Sequence, residues 1–152
     1  MKENPQLNPI GVIHSPYNTI EECHPYSQSR EQTFRLEVFP EFAPALQSVE
    51  TCTHILVLYW MHHARRDLLT QGYRWDNKPH GTFALRSPHR PNPIALSTCE
   101  LVLREGRFLT VQGLDCIEGT PLLDIKPCFA THDGSPDARV GWWEKRTGKC
   151  PQ

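Results

Sequence analysis

The chain of 152 residues has no long apolar stretch. Its longest such run, Ile55 to Met61, falls far short of the roughly 20 residues that a membrane-crossing helix needs. Met1 leads into a polar, proline-containing segment that does not read as a secretion signal, so a cytoplasmic protein without a membrane anchor is expected. The six cysteines are scattered, with no Cys-x-x-Cys pair, and are read as reduced thiols. His62 and His63 with Cys52 and Cys128 form the one ligand set worth weighing, but their spacings match no zinc motif and no metal is expected. Charge of one sign is also missing, with 16 Lys+Arg against 17 Asp+Glu. Any contact with nucleic acid must therefore use a local patch. There is no G-x-G-x-x-G turn of a doubly wound nucleotide-binding sheet.

What the chain has in quantity is punctuation. Fourteen prolines and nine glycines leave few windows able to hold three uninterrupted helical turns. Ile10–Ile13 reads as an opening strand. Phe34–Phe39 alternates Phe34, Leu36 and Val38 with Arg35 and Glu37, the period of a half-buried strand that Pro40 ends. Glu41–Glu50 can hold one helical segment after Pro44. Thr53–Trp60 reads as a central strand buried on both faces, and His80–Leu85 as another. Ile94–Leu103, with Cys99, Leu101 and Leu103 on one side, turns through Glu105-Gly106 into Phe108–Gln112 as a hairpin. Pro121–Ile125 is a last strand. The expectation is a single all-β domain over residues 1–152, an antiparallel barrel with a few short helices, with its core at about residues 9–127 and a tail at 128–152.

Gly81 to Ser97 reads GTFALRSPHRPNPIALS. Arg86 and Arg90 sit on a turn stiffened by Pro88, Pro91 and Pro93, with Ser87, His89 and Asn92 interleaved. Proline lowers the ordering cost of a loop and frees side chains for a ligand, which suits preorganised anion or cofactor binding. A plain surface connection with solvent-facing arginines fits the same composition. Gly113 to Pro127 reads GLDCIEGTPLLDIKP and carries Asp115, Glu118, Asp124 and Lys126 around a Gly119-Thr120 turn. Asp124 and Lys126 share strand parity, so carboxylate and ammonium point to one face. That pairing is also what a simple exposed ion pair looks like.

These two segments, with GVIHSPY (Gly11–Tyr17) and HILVLYWMH (His54–His62), resemble in order and spacing the signature blocks of the TrmO/TsaA-like family. The resemblance runs from about Pro9 to Pro127. It implies a β-barrel methyltransferase that uses S-adenosyl-L-methionine (SAM), works as a homodimer, and methylates N6 of threonylcarbamoyladenosine at tRNA position 37, beside the anticodon. By position it implies a SAM pocket of Arg86, Ser87, His89, Arg90, Leu96, Asp115, Thr120 and Pro121, with Gln28 as a further contact. The family often has Pro-Arg-Gln after the SPY block, where this chain has Pro25-Tyr26-Ser27-Gln28 and then Arg30. The urea-like N6 must lose a proton, and Asp124 and His89 are the candidate acceptors.

The tail carries Arg139, Trp142, Trp143, Lys145, Arg146 and Lys149. It can stack on bases and neutralise phosphates, or pack on the barrel or on a second subunit. Unpaired barrel edges and the Trp142-Trp143 pair are the physical reasons for expecting a dimer. Two other functions remain open: methylation of a small metabolite by the same fold, and SAM or RNA binding without catalysis.

Overall fold

The computed structural model describes residues 4–23, 31–73 and 76–147. Six strands close an antiparallel barrel: β1 (Gly11–His14), β2 (Thr33–Val38), β3 (His54–Trp60), β6 (Ile94–Glu105), β7 (Phe108–Gln112) and β8 (Thr120–Pro127), in the order β1-β2-β7-β6-β3-β8 with β8 returning to β1. β4 (Thr70–Tyr73) and β5 (Asp76–Gly81) form a separate hairpin, and α1 (Gly141–Thr147) ends the described chain. Among the described residues no helix is long and apolar enough to cross a membrane.

Alternation builds the interior. Ile13, Phe34, Leu36, Val38, Ile55, Val57, Tyr59, Cys99, Leu109, Val111 and Leu122 point inward and are all but inaccessible, because period-two side chains on a closed sheet have one face on the lumen. β3 follows this rule too. Its residues alternate between buried and more accessible, so it is not covered on both faces: the outer wall of a small barrel carries no second layer there. Burial pushes the Cys99 thiol up to about 12, with the Asp115 carboxylate adding to the shift, and the sulfur behaves as a small neutral core group.

Three further expectations change. Residues 41–50 form short 3₁₀ turns, Pro40–Leu46 and Val49–Thr51, rather than one helical segment after Pro44; Pro44 cannot donate, and Ser48 at φ 69° breaks the run. β5 ends at Gly81, and Thr82–Ala84 is a 3₁₀ turn, so no strand runs to Leu85. Leu103 is half-exposed despite its parity with Cys99, because a bulge between Leu101 and Leu103 turns it outward. The expected β6–β7 hairpin is present: Glu105 pairs with Phe108, leaving Gly106-Arg107 as the loop, and Gly106 takes the positive φ of 60° that this turn demands.

Closure also leaves the barrel without a free edge. Edge cover is therefore no reason for two copies to associate.

Candidate functional site

Topology brings the sequence blocks together. Ile94 pairs with Trp60, Tyr59 with Leu122, Ile13 with Thr120, and Thr33 with Gln112. Segments 15–23, 31–32, 61–69, 85–93 and 113–119 thus all emerge at one rim. Hydrogen bonds then join them. Ser15 N–H donates to Glu118 Oε2 (2.7 Å), Ser15 Oγ to the Cys116 carbonyl (2.6 Å), and Met61 N–H to the Pro93 carbonyl (2.9 Å). His14 Nδ1 lies 2.8 Å from Glu118 Oε1 while its Nε2 lies 2.8 Å from Glu37 Oε2.

The arginine-proline loop is held from several sides. Arg86 donates to the Leu96 carbonyl at 2.8 Å. Arg90 Nη1 donates to the carbonyls of Leu85 (3.2 Å) and Ser87 (3.4 Å). Among the described residues neither guanidinium meets a carboxylate, so each keeps N–H donors for a ligand anion. Ser87 Oγ donates to Gln71 Oε1 (2.7 Å) and accepts from the His89 N–H (3.2 Å). His89 Nδ1 accepts from the Arg65 N–H at 3.1 Å. An Nδ1 that accepts leaves the proton of the neutral ring on Nε2, so this imidazole offers a donor at its free nitrogen.

Beside this rim the N-terminal segment and the outer wall enclose a cleft of about 450 Å³, with Leu7, Trp60, Arg66, Asn92, Ile94 and Pro121 among its walls. The Arg66 guanidinium lies 5.4 Å from the Trp60 ring centroid, and its Nε donates to the Pro91 carbonyl (2.8 Å).

Residues 12–134, most of the barrel and all of this rim past Gly11, match the family model of the tRNA-methyltransferase O N-terminal domain. The chain belongs to this family. A probable S-adenosyl-L-methionine-binding protein of Archaeoglobus fulgidus is 46% identical over 140 residues, covering 92% of this chain and 38% of its own length. A Mus musculus tRNA (adenine(37)-N6)-methyltransferase is 31% identical over 151 residues, covering 90% of this chain and 35% of its own. The crystal structure of TrmO from Pseudomonas aeruginosa superposes with a TM-score of 0.73 at 32% identity, over 91% of this chain and 62% of that one. The chain therefore spans little more than a third of the two curated relatives.

In this TrmO-family barrel the remaining candidates separate. Asp115 belongs to a second network, where its carboxylate takes the Tyr59 hydroxyl. The Thr120 side chain is buried and donates to the Ile117 carbonyl (2.7 Å). Pro121 faces the cleft. Asp124 pairs with Leu58 halfway along the outer wall; its Oδ2 meets Lys126 Nζ at 2.8 Å and its Oδ1 accepts the Ile125 N–H at 2.9 Å. The shared face inferred from parity is real, and a register shift between Leu58 and Tyr59 turns it outward although Leu122 points in. His62 and His63 lie with ring centroids 4.1 Å apart, tilted by 44°, and burial with the neighbouring ring lowers the pKa of His62. Among the described residues no group of three His, Cys, Asp or Glu is arranged to hold a metal ion.

Gln28 and Lys149 lie outside the described residues, as do the side chains of Lys145 and Arg146. Arg139 is exposed, 3.7 Å from Glu144. Trp142 docks on the chain's own hairpin: its ring sits 4.4 Å from that of His80, and its Nε1–H donates to the Ala84 carbonyl at 3.1 Å. Three residues of the rim escaped the sequence reading. Gln71 lies in a segment without any motif, and Tyr59 and Ser97, although inside two of the quoted blocks, look there like ordinary strand residues that no period or spacing singles out.

Proposed function

We propose that this chain is a SAM-dependent methyltransferase that methylates N6 of threonylcarbamoyladenosine at position 37 of tRNA. The observation that carries the reading is the rim loop with two guanidinium groups that meet no carboxylate among the described residues, next to an apolar-walled cleft. SAM has one zwitterionic amino-acid end and one adenine end. Arg86 and Arg90 have the donors for its carboxylate, His89 Nε2–H and the Ser87 region add polar contacts, and the cleft walls offer an apolar surface for a base. When bound, SAM supplies an electrophilic methyl on its sulfonium. The relative whose name specifies adenine 37 of tRNA supports the acceptor class.

The chain's own contribution to the transfer is alignment and removal of a proton. His89 does not suit removal, because its free nitrogen carries the hydrogen. Asp124 has acceptor oxygens, and Lys126 would have to yield one of them. The protein acts as a homodimer in this reading. With no free barrel edge and Trp142 packed against His80 of its own chain, the surface for that contact is the outer face of β6, where Ile94, Leu96, Val102 and Leu103 are 40–52% exposed.

The test is transfer of labelled methyl from SAM to tRNA that carries threonylcarbamoyladenosine, followed by nucleoside mass spectrometry. A product heavier by one methyl at that nucleoside is expected. Absence of transfer to such tRNA, with turnover of a small amine or hydroxyl acceptor, overturns the RNA reading in favour of a metabolite.

A further inference from the structure

We propose that Gln71, on β4 of the side hairpin, is a positioning residue for the rim loop: its amide sets the backbone course that lets Arg86 and Arg90 present their donors. This rests on the reading of that loop as the SAM site.

One side chain here uses both ends of its amide. Nε2 donates to the His89 carbonyl (2.8 Å) and to Thr82 Oγ1 (2.9 Å), and Oε1 accepts from Ser87 Oγ (2.7 Å). The orientation is forced. Thr82 is buried and spends its hydroxyl proton on the Leu68 carbonyl (2.8 Å), so towards Gln71 it can only accept. The His89 carbonyl can only accept as well. Both therefore require the NH₂ end, and the Ser87 hydroxyl, donating to Oε1, keeps a lone pair for the His89 N–H. A flipped amide would set oxygen against two acceptors.

The loop needs this outside hold because its prolines leave it few backbone donors of its own. Pro88, between the two residues that Gln71 grips, has no N–H, and neither do Pro91 and Pro93. Arg90 in turn takes its place from the Ser87 and Leu85 carbonyls, so the guanidinium geometry depends on where Ser87 is held. The barrel itself closes through six strands that include neither β4 nor β5. Loss of Gln71 should free the loop and leave the barrel folded. Asn is one methylene too short to span Thr82, Ser87 and His89, Glu has the acceptor without the donors, and Leu has neither.

The experiment measures SAM affinity by calorimetry, and folding by circular dichroism and melting, for the wild type and for Gln71→Leu, Gln71→Glu, Arg86→Ala and Arg90→Ala. Gln71→Leu is expected to weaken SAM binding about 5- to 50-fold, the size of one or two hydrogen bonds, with a melting temperature close to that of the wild type. Gln71→Glu should show a similar loss at pH 8 and regain affinity towards pH 5, since a protonated carboxyl can again donate to the His89 carbonyl. The wild type, measured alongside, sets the pH dependence of binding that does not come from position 71. If the arginine variants lose affinity and both Gln71 variants bind like the wild type, the positioning role is overturned and the loop reading stands. If the arginine variants also bind normally, the loop reading falls and takes this role with it. If Gln71→Leu does not fold, the pH recovery of Gln71→Glu decides: its presence supports the role and its absence overturns it.

Discussion

The Tyr59 hydroxyl lies 2.5 Å from Asp115 Oδ1 and 2.9 Å from Ser97 Oγ, and so ties the lumen of the barrel to the loop on its rim. Burial, reinforced by the neighbouring carboxylate, pushes the phenol well above its ordinary pKa. It therefore stays protonated and acts as the donor to Asp115. Tyr59→Phe removes that donor and leaves the buried Ser97 hydroxyl without its tyrosine partner. The expected cost is about 1–3 kcal/mol of folding stability, read from urea denaturation. An unchanged midpoint would mean that this bond contributes nothing net.

Gly11 sits where β1 meets β2, and a Cβ placed on it would come 2.0 Å from the Glu37 carbonyl oxygen. The obstacle is backbone and cannot swing away. Gly11→Ala should force β1 off β2 and lower stability by at least about 2 kcal/mol, a strain of the kind that overpacking produces. Thermal melting would register it. A variant as stable as the wild type would show that β1 shifts freely, contrary to its four-residue register with β2.

His14 bridges Glu37 and Glu118, and these two hydrogen bonds raise its pKa above the ordinary 6.5. Glu37, held by His14 and Arg107, is lowered from 4.5. The raised histidine contributes stability that is fully present below pH 6.5 and is lost as pH climbs through its folded value. The lowered carboxylate contributes stability that is present above pH 4.5 and is lost as pH falls through its own folded value. The bridge is therefore strongest between about pH 4.5 and 6.5. The groups are partly exposed, so the effect is small, on the order of 1–3 °C in Tm between pH 6 and pH 8.5. His14→Gln should flatten that difference. An unaltered pH profile in the variant would show that the bridge is not what titrates.

Replacing Arg139, Lys145, Arg146 and Lys149 together by Ala should weaken tRNA binding. It should also reduce the salt dependence, by roughly 0.7–0.9 in log–log slope for each phosphate that is no longer neutralised. SAM affinity should hold, since the tail is remote in sequence from the rim loop and Arg139 lies against Glu144 instead. Filter binding at several salt concentrations measures both. Equal slopes in the variant and the wild type would place the RNA surface elsewhere.

The sequence by itself determined the barrel. Alternation in Phe34–Val38 and Phe108–Gln112, and the Glu105-Gly106 turn, are local signals, and local signals survive in one dimension because each side chain's face follows from its neighbours two residues away. It also marked the Arg86–Pro93 loop, where proline chemistry acts within the loop itself. Tertiary structure alone decided the rest. Thr53–Trp60 looked buried on both faces because Leu56, Leu58 and Trp60 are as apolar as their inward neighbours, and only closure of the sheet assigns one set to the outside. Asp124 has the parity of the inward Leu122, and a single register shift at Leu58/Tyr59 sends it to the outer wall. Gln71 lies 16 residues from Ser87 in a hairpin with no motif; its importance comes from partners at 82, 87 and 89 that a reading by period or spacing cannot connect. Contacts between residues distant in the chain depend on how the strands close, and no local pattern records that.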